Sequence, residues 1–551
     1  MASEDILDHA LERLLGTAAP ALRAVGAARG LRWELDRRLV EGRSGAIVAF
    51  VREVRPLGGG TRRGTTPYLM KLDTYPDAGD GEFARHRKAF LDEPAFAHAY
   101  LTELAPEGHD LVPVGDGRWI VFQRVATQSV DGLGDKEEIH DLDVVSKALA
   151  SVCASGPVTT TLEPVRCEPP DFVGFCGRVV DVVLREWVSA PDHESMNVPA
   201  YLKAHLLKRT DEGKPLQVVE SLLKHDWLLI GTDRERQPNP FPLLRADGPA
   251  AEVMVKALLG CAHGDLHVVN VLAPLAALTP GAPFRLIDLA KYESRGPLAR
   301  DPAGFLLHIV VRVLRHFDES AQDAISWFLF CDEEERAEWI GDVPGWLADL
   351  AETVRRTAER WAHGHVRLDD WRAQWRLSLL GCALILLARG STRVEDRVWL
   401  LRFASRTTRR VLGPKRLPTS GLATEVTPEM LVVAPPVPSG SEDESWVEWF
   451  CDVQQRLSRK AATPEHRQRL AELHRSALAG EDREDQFLDL AREIDPKLFL
   501  TRDAGGHDGL VDEVLTCPLE EHRCGKVVRP RPGEDLARCS LLPGGMRHEF
   551  W

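Results

Sequence analysis

The sequence predicts an α+β fold: a strand-rich stretch, then a longer helical one, followed by a small helical module and a cysteine-bearing tail. Three observations predict it. Apolar runs of strand length, broken by Gly-rich turns, concentrate between residues 31 and 126. Helical periodicity dominates from there to residue 412. Within that second stretch, Cys261–Leu272 (CAHGDLHVVNVL) is a polar loop, and Asp288 ends a strand-like run, Phe284–Ile287, eighteen residues after Asn270.

Residues 1–30 read as an N-terminal helical extension and 31–126 as the small lobe. Trp33–Val54 reads as two strands around the turn Gly42-Arg43-Ser44-Gly45. Its glycines would let backbone amides approach an anion, although an ordinary hairpin turn fits as well. Past a basic, Gly-rich loop, Pro67–Asp73 is a short apolar strand with Lys71 inside it. A charge within an apolar run is expensive unless paired, so Lys71 either has a buried carboxylate partner or snorkels from an edge strand.

That partner should come from the next helix, Asp80–Leu91, or from just past its end, where Glu82 and Glu93 would share a face. Pro94 decides between them. Proline disfavours helical geometry at the residue before it and starts helices well, so Glu93 falls at a break and Glu82 lies inside the first helix. A solvated surface glutamate is the alternative for Glu82. Leu111–Val114 and Trp119–Val125 complete the lobe as strands, and Gln123–Ala126 is the crossing to the second lobe by position.

The large lobe spans residues 127–412. Before the polar loop, Asp141–Cys153, Asp181–Trp187, Tyr201–Lys208 and Leu216–Leu229 read as helical segments. After it, Asp301-Pro302 is a helix start, with aspartate as cap and proline at the first helical position. Helices are expected over Gly304–Leu314, Ser326–Phe330, Gly345–His363, Trp371–Leu387 and Val394–Leu412. Leu377–Leu387 is bracketed by Arg376 and Arg389 and too short for a membrane span, so it reads as a buried helix.

The loop residues suit phosphoryl transfer. One carboxylate, Asp265, can orient an attacking hydroxyl and take its proton. The amide oxygen of Asn270 and the carboxylate of Asp288 can hold magnesium against phosphates, and Lys71 can grip a nucleotide. The bland alternative is a turn with an Asx cap.

His263-Gly264-Asp265, with Asn270 and then Ile287-Asp288, resembles the signature HGDxxxxN followed by IDxx of the aminoglycoside phosphotransferase and choline kinase branch of the protein-kinase-like superfamily. Within it, the wording HGDLHxxNVL, LIDLA and RDPA is similar to the phosphotransferase-like proteins of bacterial multi-gene conflict systems, called ternary-complex-associated domains. The resemblance implies a bilobal protein-kinase-like fold using ATP and magnesium, with Asp265 as base, Lys71, Glu82, Gly42, Gly45, Asn270 and Asp288 around the nucleotide, and an acceptor site built by the helices before the loop. It also implies that an aspartate at position 301 braces the catalytic loop. A catalytically weak nucleotide-binding scaffold, or transfer of AMP on the same fold, is the alternative. The acceptor is a small molecule or a partner protein.

Residues 413–443, rich in Pro, Ser, Thr and Gly, read as a linker, and 444–500 as a small helical module suited to protein association. Residues 508–551 resemble a degenerate zinc ribbon with Cys517, Cys524, Cys539 and His548 as ligands. Zinc would hold a segment too short to bury a core, the alternative being a metal-free peptide with reactive cysteines. A net charge of −15 argues against a broad nucleic-acid surface. The acidic, polar N-terminus is unlike a secretory signal, and the expected location is the cytoplasm.

Overall fold

The computed structural model describes residues 6–39, 47–56, 63–74, 81–104, 111–115, 117–124, 139–141, 169–202, 222, 225–230, 236–274, 278–389, 392–418, 423–426 and 428–431, with scattered positions between 466 and 493 and three short strands between 513 and 550. The architecture is α+β with antiparallel sheets and many helices. The chain separates into two compact units, the first comprising residues 1–213, 219–387 and 395–427, and the second residues 214–218, 388–394 and 428–551.

In the first unit, a six-stranded sheet is built from β1 (Arg32–Leu39), β2 (Ile47–Pro56), β3 (Arg63–Thr74), β4 (Glu103–Leu104), β5 (Leu111–Pro113) and β6 (Arg118–Arg124). Its order is β1-β2-β3-β6-β4, with β5 also on β6, and each pairing is antiparallel. Side chains alternate across a strand, so β3 divides its residues between two faces. Tyr68, Met70 and Leu72 join Trp33, Ala49, Val51, Ile120 and Phe122 in a core shared with Leu11, Leu15 and Leu22. Those leucines come from α1 (His9–Leu15) and α2 (Ala19–Arg29), so the N-terminal helices cover this face. Asp8 sets the layer by accepting from Leu11 N in the first turn of α1 and from Leu35 N in β1, each at 2.6 Å.

Leu69 lies on the opposite face. With Val48 and Phe50 it packs on Leu272 and Ile287, which flank the polar loop and Asp288 in sequence. Lys71, two residues on from Leu69, shares this face by the same alternation. The helix that follows, α3 (Glu82–Asp92), stops where proline predicts: Glu93 has φ −140°, and α4 (Pro94–Tyr100) begins at Pro94.

The rest of the unit is mostly helical. It contains β7 (Ile139–Asp141), α5 (Pro169–Arg185), β8 (Asp192–Asn197), α6 (Val198–Tyr201), β9 (Trp227–Ile230), β10 (Arg236–Pro238), β11 (Met254–Ala262), β12 (Val271–Pro274), β13 (Arg285–Leu286) and β14 (Glu293–Pro297). There follow α7 (Arg300–Val313), α8 (Glu319–Phe330), α9 (Glu333–Arg336), α10 (Gly345–Ala362), α11 (Leu368–Leu387) and α12 (Val394–Leu412). Two small sheets, β14-β11-β8 and β13-β12-β7, carry the two ends of the polar loop. Gln374 of the buried helix α11 fixes β11, accepting from Leu258 N at 2.8 Å and donating to Lys256 O at 2.7 Å. Among the described residues no helix is long and apolar enough to cross a membrane.

Three sequence expectations need correction. Leu216–Leu229 was expected as helix, but Trp227–Ile230 is β9, paired antiparallel with β10 and parallel with β15 (Ala423–Val426). A short apolar run fits either period, and here ladder partners on both sides decide. The strand β15 itself lies in the stretch expected to be a linker. Asp141 belongs to β7, while the remainder of the helix expected over Asp141–Cys153 lies outside the described residues. In the second unit, β16 (Glu513–Thr516), β17 (Val527–Val528) and β18 (Arg547–Phe550) form an antiparallel sheet ordered β17-β16-β18.

Candidate active site

The polar loop leaves β11 at His263 and is held by the first turn of α7. Asp301 accepts from His263 N at 2.6 Å and from Gly264 N at 2.9 Å. It does not cap its own helix, as the sequence had suggested; α7 begins after Ala299 without a side-chain cap. Arg300 donates to Gly264 O at 2.5 Å, so consecutive α7 residues grip both sides of one loop segment. Burial pushes the Asp301 carboxyl up, and His263, Arg300 and the two amides offset this only in part.

Gly264 is required by conformation and by space. Its φ is +77°, and a Cβ there would stand 2.0 Å from the carbonyl oxygen of Lys291. The loop therefore lies backbone to backbone against the segment that follows Asp288. His263, fully buried, donates through Nε2 to Ile287 O at 2.9 Å and accepts from Asp265 N at 3.3 Å, which ties the two segments again.

Asn270 ends a short 3-10 turn, Val268–Asn270. Its Nδ2 donates to Asp265 O at 2.9 Å, and its backbone carbonyl accepts from Ile287 N at 3.1 Å. One residue thus sets the positions of both Asp265 and Asp288. With the amide nitrogen engaged, Oδ1 is left as an acceptor. That oxygen and the Asp288 carboxylate are hard donors of the kind magnesium takes, so the residues fit that ion.

Asp288 is the one non-glycine residue with positive φ among those described, at 60°. Its carboxylate, 38% exposed, lies 3.5 Å from Lys71 Nζ. Burial would raise its pKa, but the Lys71 ammonium, with His263 and His267, outweighs both burial and the repulsion of Asp265 and holds it below the ordinary carboxylate range.

Lys71 meets Glu82 at 2.5 Å, and both side chains are nearly buried, at 12% and 5% exposure. Glu93, the other candidate, instead accepts from Ser189 Oγ at 2.7 Å. Behind the pair runs a polar chain. Gln123 Nε2 donates to Glu82 at 3.3 Å, Thr102 Oγ1 donates to Gln123 at 2.8 Å, and Thr102 O accepts from His86 Nε2 at 2.7 Å. Burial pulls the His86 pKa down to about 4.

The structure brings Lys71, Glu82, Asn270, Asp288 and Asp265 into one region of the first unit. Gly42 and Gly45 lie outside the described residues, as do Cys517, Cys524, Cys539 and the side chain of His548. Among the described residues no cluster of three His, Cys, Asp or Glu side chains is placed to hold a metal. Sequence reasoning placed Gln123 at the crossing to the second lobe, whereas it lies within β6 and donates to Glu82, and it missed Arg300. Gln123 carried a signal, a polar residue inside the apolar run WIVFQRV; Arg300 carried none beyond its place before Asp301.

No family model matches the chain, and no curated protein does. Among solved structures it is similar to an ethanolamine kinase from Plasmodium vivax, at 12% identity over 69% of this chain and 82% of that one, with a TM-score of 0.24. It is also similar to a microcompartment-associated aminopropanol kinase, at 14% identity over 67% of this chain and 95% of that one, with a TM-score of 0.25.

Proposed function

We propose that this chain is an ATP- and magnesium-dependent phosphotransferase acting on a hydroxyl group, with a bilobal protein-kinase-like fold. The observation that carries the reading is one cluster: a buried Lys71–Glu82 pair, Asp288 3.5 Å from the same ammonium, and Asn270 holding the main chain of Asp265.

Each group has a task in that chemistry. Lys71 draws the nucleotide phosphates toward Asp288, and Glu82 keeps the ammonium in place. Asp265 orients the acceptor hydroxyl and takes its proton as the acceptor oxygen bonds to phosphorus and the bond to the departing ADP breaks. Asn270 Oδ1 and Asp288 would hold magnesium, which when bound would supply positive charge against the phosphates. The resemblance assigns Gly42 and Gly45, outside the described residues, to the phosphates, which their backbone amides would approach.

The acceptor is a small molecule or a partner protein, and the wording HGDLHxxNVL supports a place in a multi-component bacterial conflict system in the cytoplasm. In this reading the C-terminal modules recruit the protein partner, and Cys517, Cys524, Cys539 and His548 take zinc.

Calorimetric titration with ATP, with and without magnesium, tests the reading. Wild-type protein should bind ATP more tightly with magnesium, Asp288→Ala should lose that gain, and Asp265→Ala should keep it. A magnesium response unchanged in Asp288→Ala would overturn the assignment.

A further inference from the structure

The face of α3 that carries Glu82 also carries Arg85, Lys88 and Asp92 at helical spacing, and all three reach the stretch after Asp288. Arg85 Nη1 donates to Ala290 O at 2.8 Å. Lys88 Nζ donates to Ser294 Oγ at 2.7 Å, and Asp92 accepts from the Tyr292 hydroxyl at 2.8 Å. The Tyr292 ring is itself stacked on Trp187, with centroids 5.7 Å apart. Nothing in the chemistry described above uses these contacts, yet they join the helix that orients Lys71 to the segment that orients Asp288.

We propose that Arg85 is a positioning residue of the site: by holding the Ala290 carbonyl it fixes the left-handed backbone of Asp288 that directs its carboxylate at Lys71. Two observations converge on it. Asp288 has φ 60°, a conformation that disfavours a residue with a Cβ and persists only where neighbours over-determine it. Arg85 is one helical turn from Glu82, so a single rigid helix sets both partners of Lys71. Lys88 and Asp92, more exposed at 54% and 29%, extend the clasp along β14 without reaching the residues next to Asp288. The consequence is a site in which α3 and residues 290–294 are joined by three side-chain contacts.

This inference rests on the proposed function, and the test separates the two. Full-length wild type, Arg85→Ala and Arg85→Lys are compared by hydrogen exchange of peptides covering 288–294 and by ATP titration across magnesium concentrations. Arg85→Ala should lose roughly tenfold in exchange protection over 288–294, the scale of one charge-assisted hydrogen bond. It should also lose most of the magnesium-dependent gain in ATP affinity while keeping its affinity without magnesium. Arg85→Lys, which retains a donor, should recover part of both. Unchanged protection in Arg85→Ala overturns the inference whatever the protein binds. Lost protection with an unchanged magnesium response also overturns it, reducing the contact to local stability. Lost protection in a protein whose wild type shows no magnesium-dependent ATP binding removes the functional reading and the positioning role that depends on it.

Discussion

Lys71 and Glu82, eleven residues apart in sequence, meet at 2.5 Å with both side chains almost withdrawn from water. Breaking a buried charge pair is costly, because removing either partner strands the other. Lys71→Met and Glu82→Gln should each lower ATP affinity. A double-mutant cycle should give a coupling of about 1–3 kcal/mol, the range for residues in direct contact. Additive losses would mean that the pair does not act as a unit.

Asp301 accepts two buried backbone amides, from His263 and Gly264. Asp301→Ala should destabilise the protein by about 2–5 kcal/mol, since each unsatisfied buried donor costs roughly 1–3 kcal/mol. Asp301→Asn, with one good acceptor oxygen, should recover about half. Denaturant unfolding of the three proteins measures this, and a loss below about 1 kcal/mol for the alanine variant would contradict the bracing role.

Gly264→Ala places a methyl group 2.0 Å from Lys291 O at a residue with φ +77°. Both effects act together, so a loss of roughly 2–4 kcal/mol is expected, from strain and overpacking. The backbone contact with residue 291 should open. Wild-type stability in this variant would show that the loop and the segment after Asp288 are not held together.

His86 supplies a pH dependence. Its pKa is about 4 in the fold against an ordinary 6.5, because burial disfavours the charged ring. Between those values the unfolded chain takes a proton that the folded chain refuses, so stability falls as pH drops from 6.5 to 4. The loss attributable to this residue is about 3 kcal/mol. His86→Gln keeps a donor for Thr102 O but cannot titrate, and its stability should decline less steeply over that window. Equal slopes in chemical denaturation would contradict the assignment.

Much of this arrangement was legible in the sequence because it rests on local rules. Pro94 separated Glu82 from Glu93, a charge inside an apolar run singled out Lys71, and the motif spacing singled out Asp265, Asn270 and Asp288. The parts that were not legible are long-range. Local pattern made Asp301 a cap, and only the resemblance implied that it holds a loop thirty-seven residues earlier, because that contact depends on packing that no local pattern encodes. Arg85 looks like any helix arginine until the segment after Asp288 is placed beside it. The run WLLI became strand β9 only because β10 and β15 flank it.

The most direct test of the central claim is transfer of label from ATP in the presence of metabolite and protein acceptor pools, with wild type and Asp265→Ala side by side. Label at the γ position should reach an acceptor with wild type, label at the α position should not, and Asp265→Ala should lose roughly 10²–10⁴-fold in rate while still binding ATP. Transfer of the α label, or γ transfer at the wild-type rate by Asp265→Ala, would contradict the account.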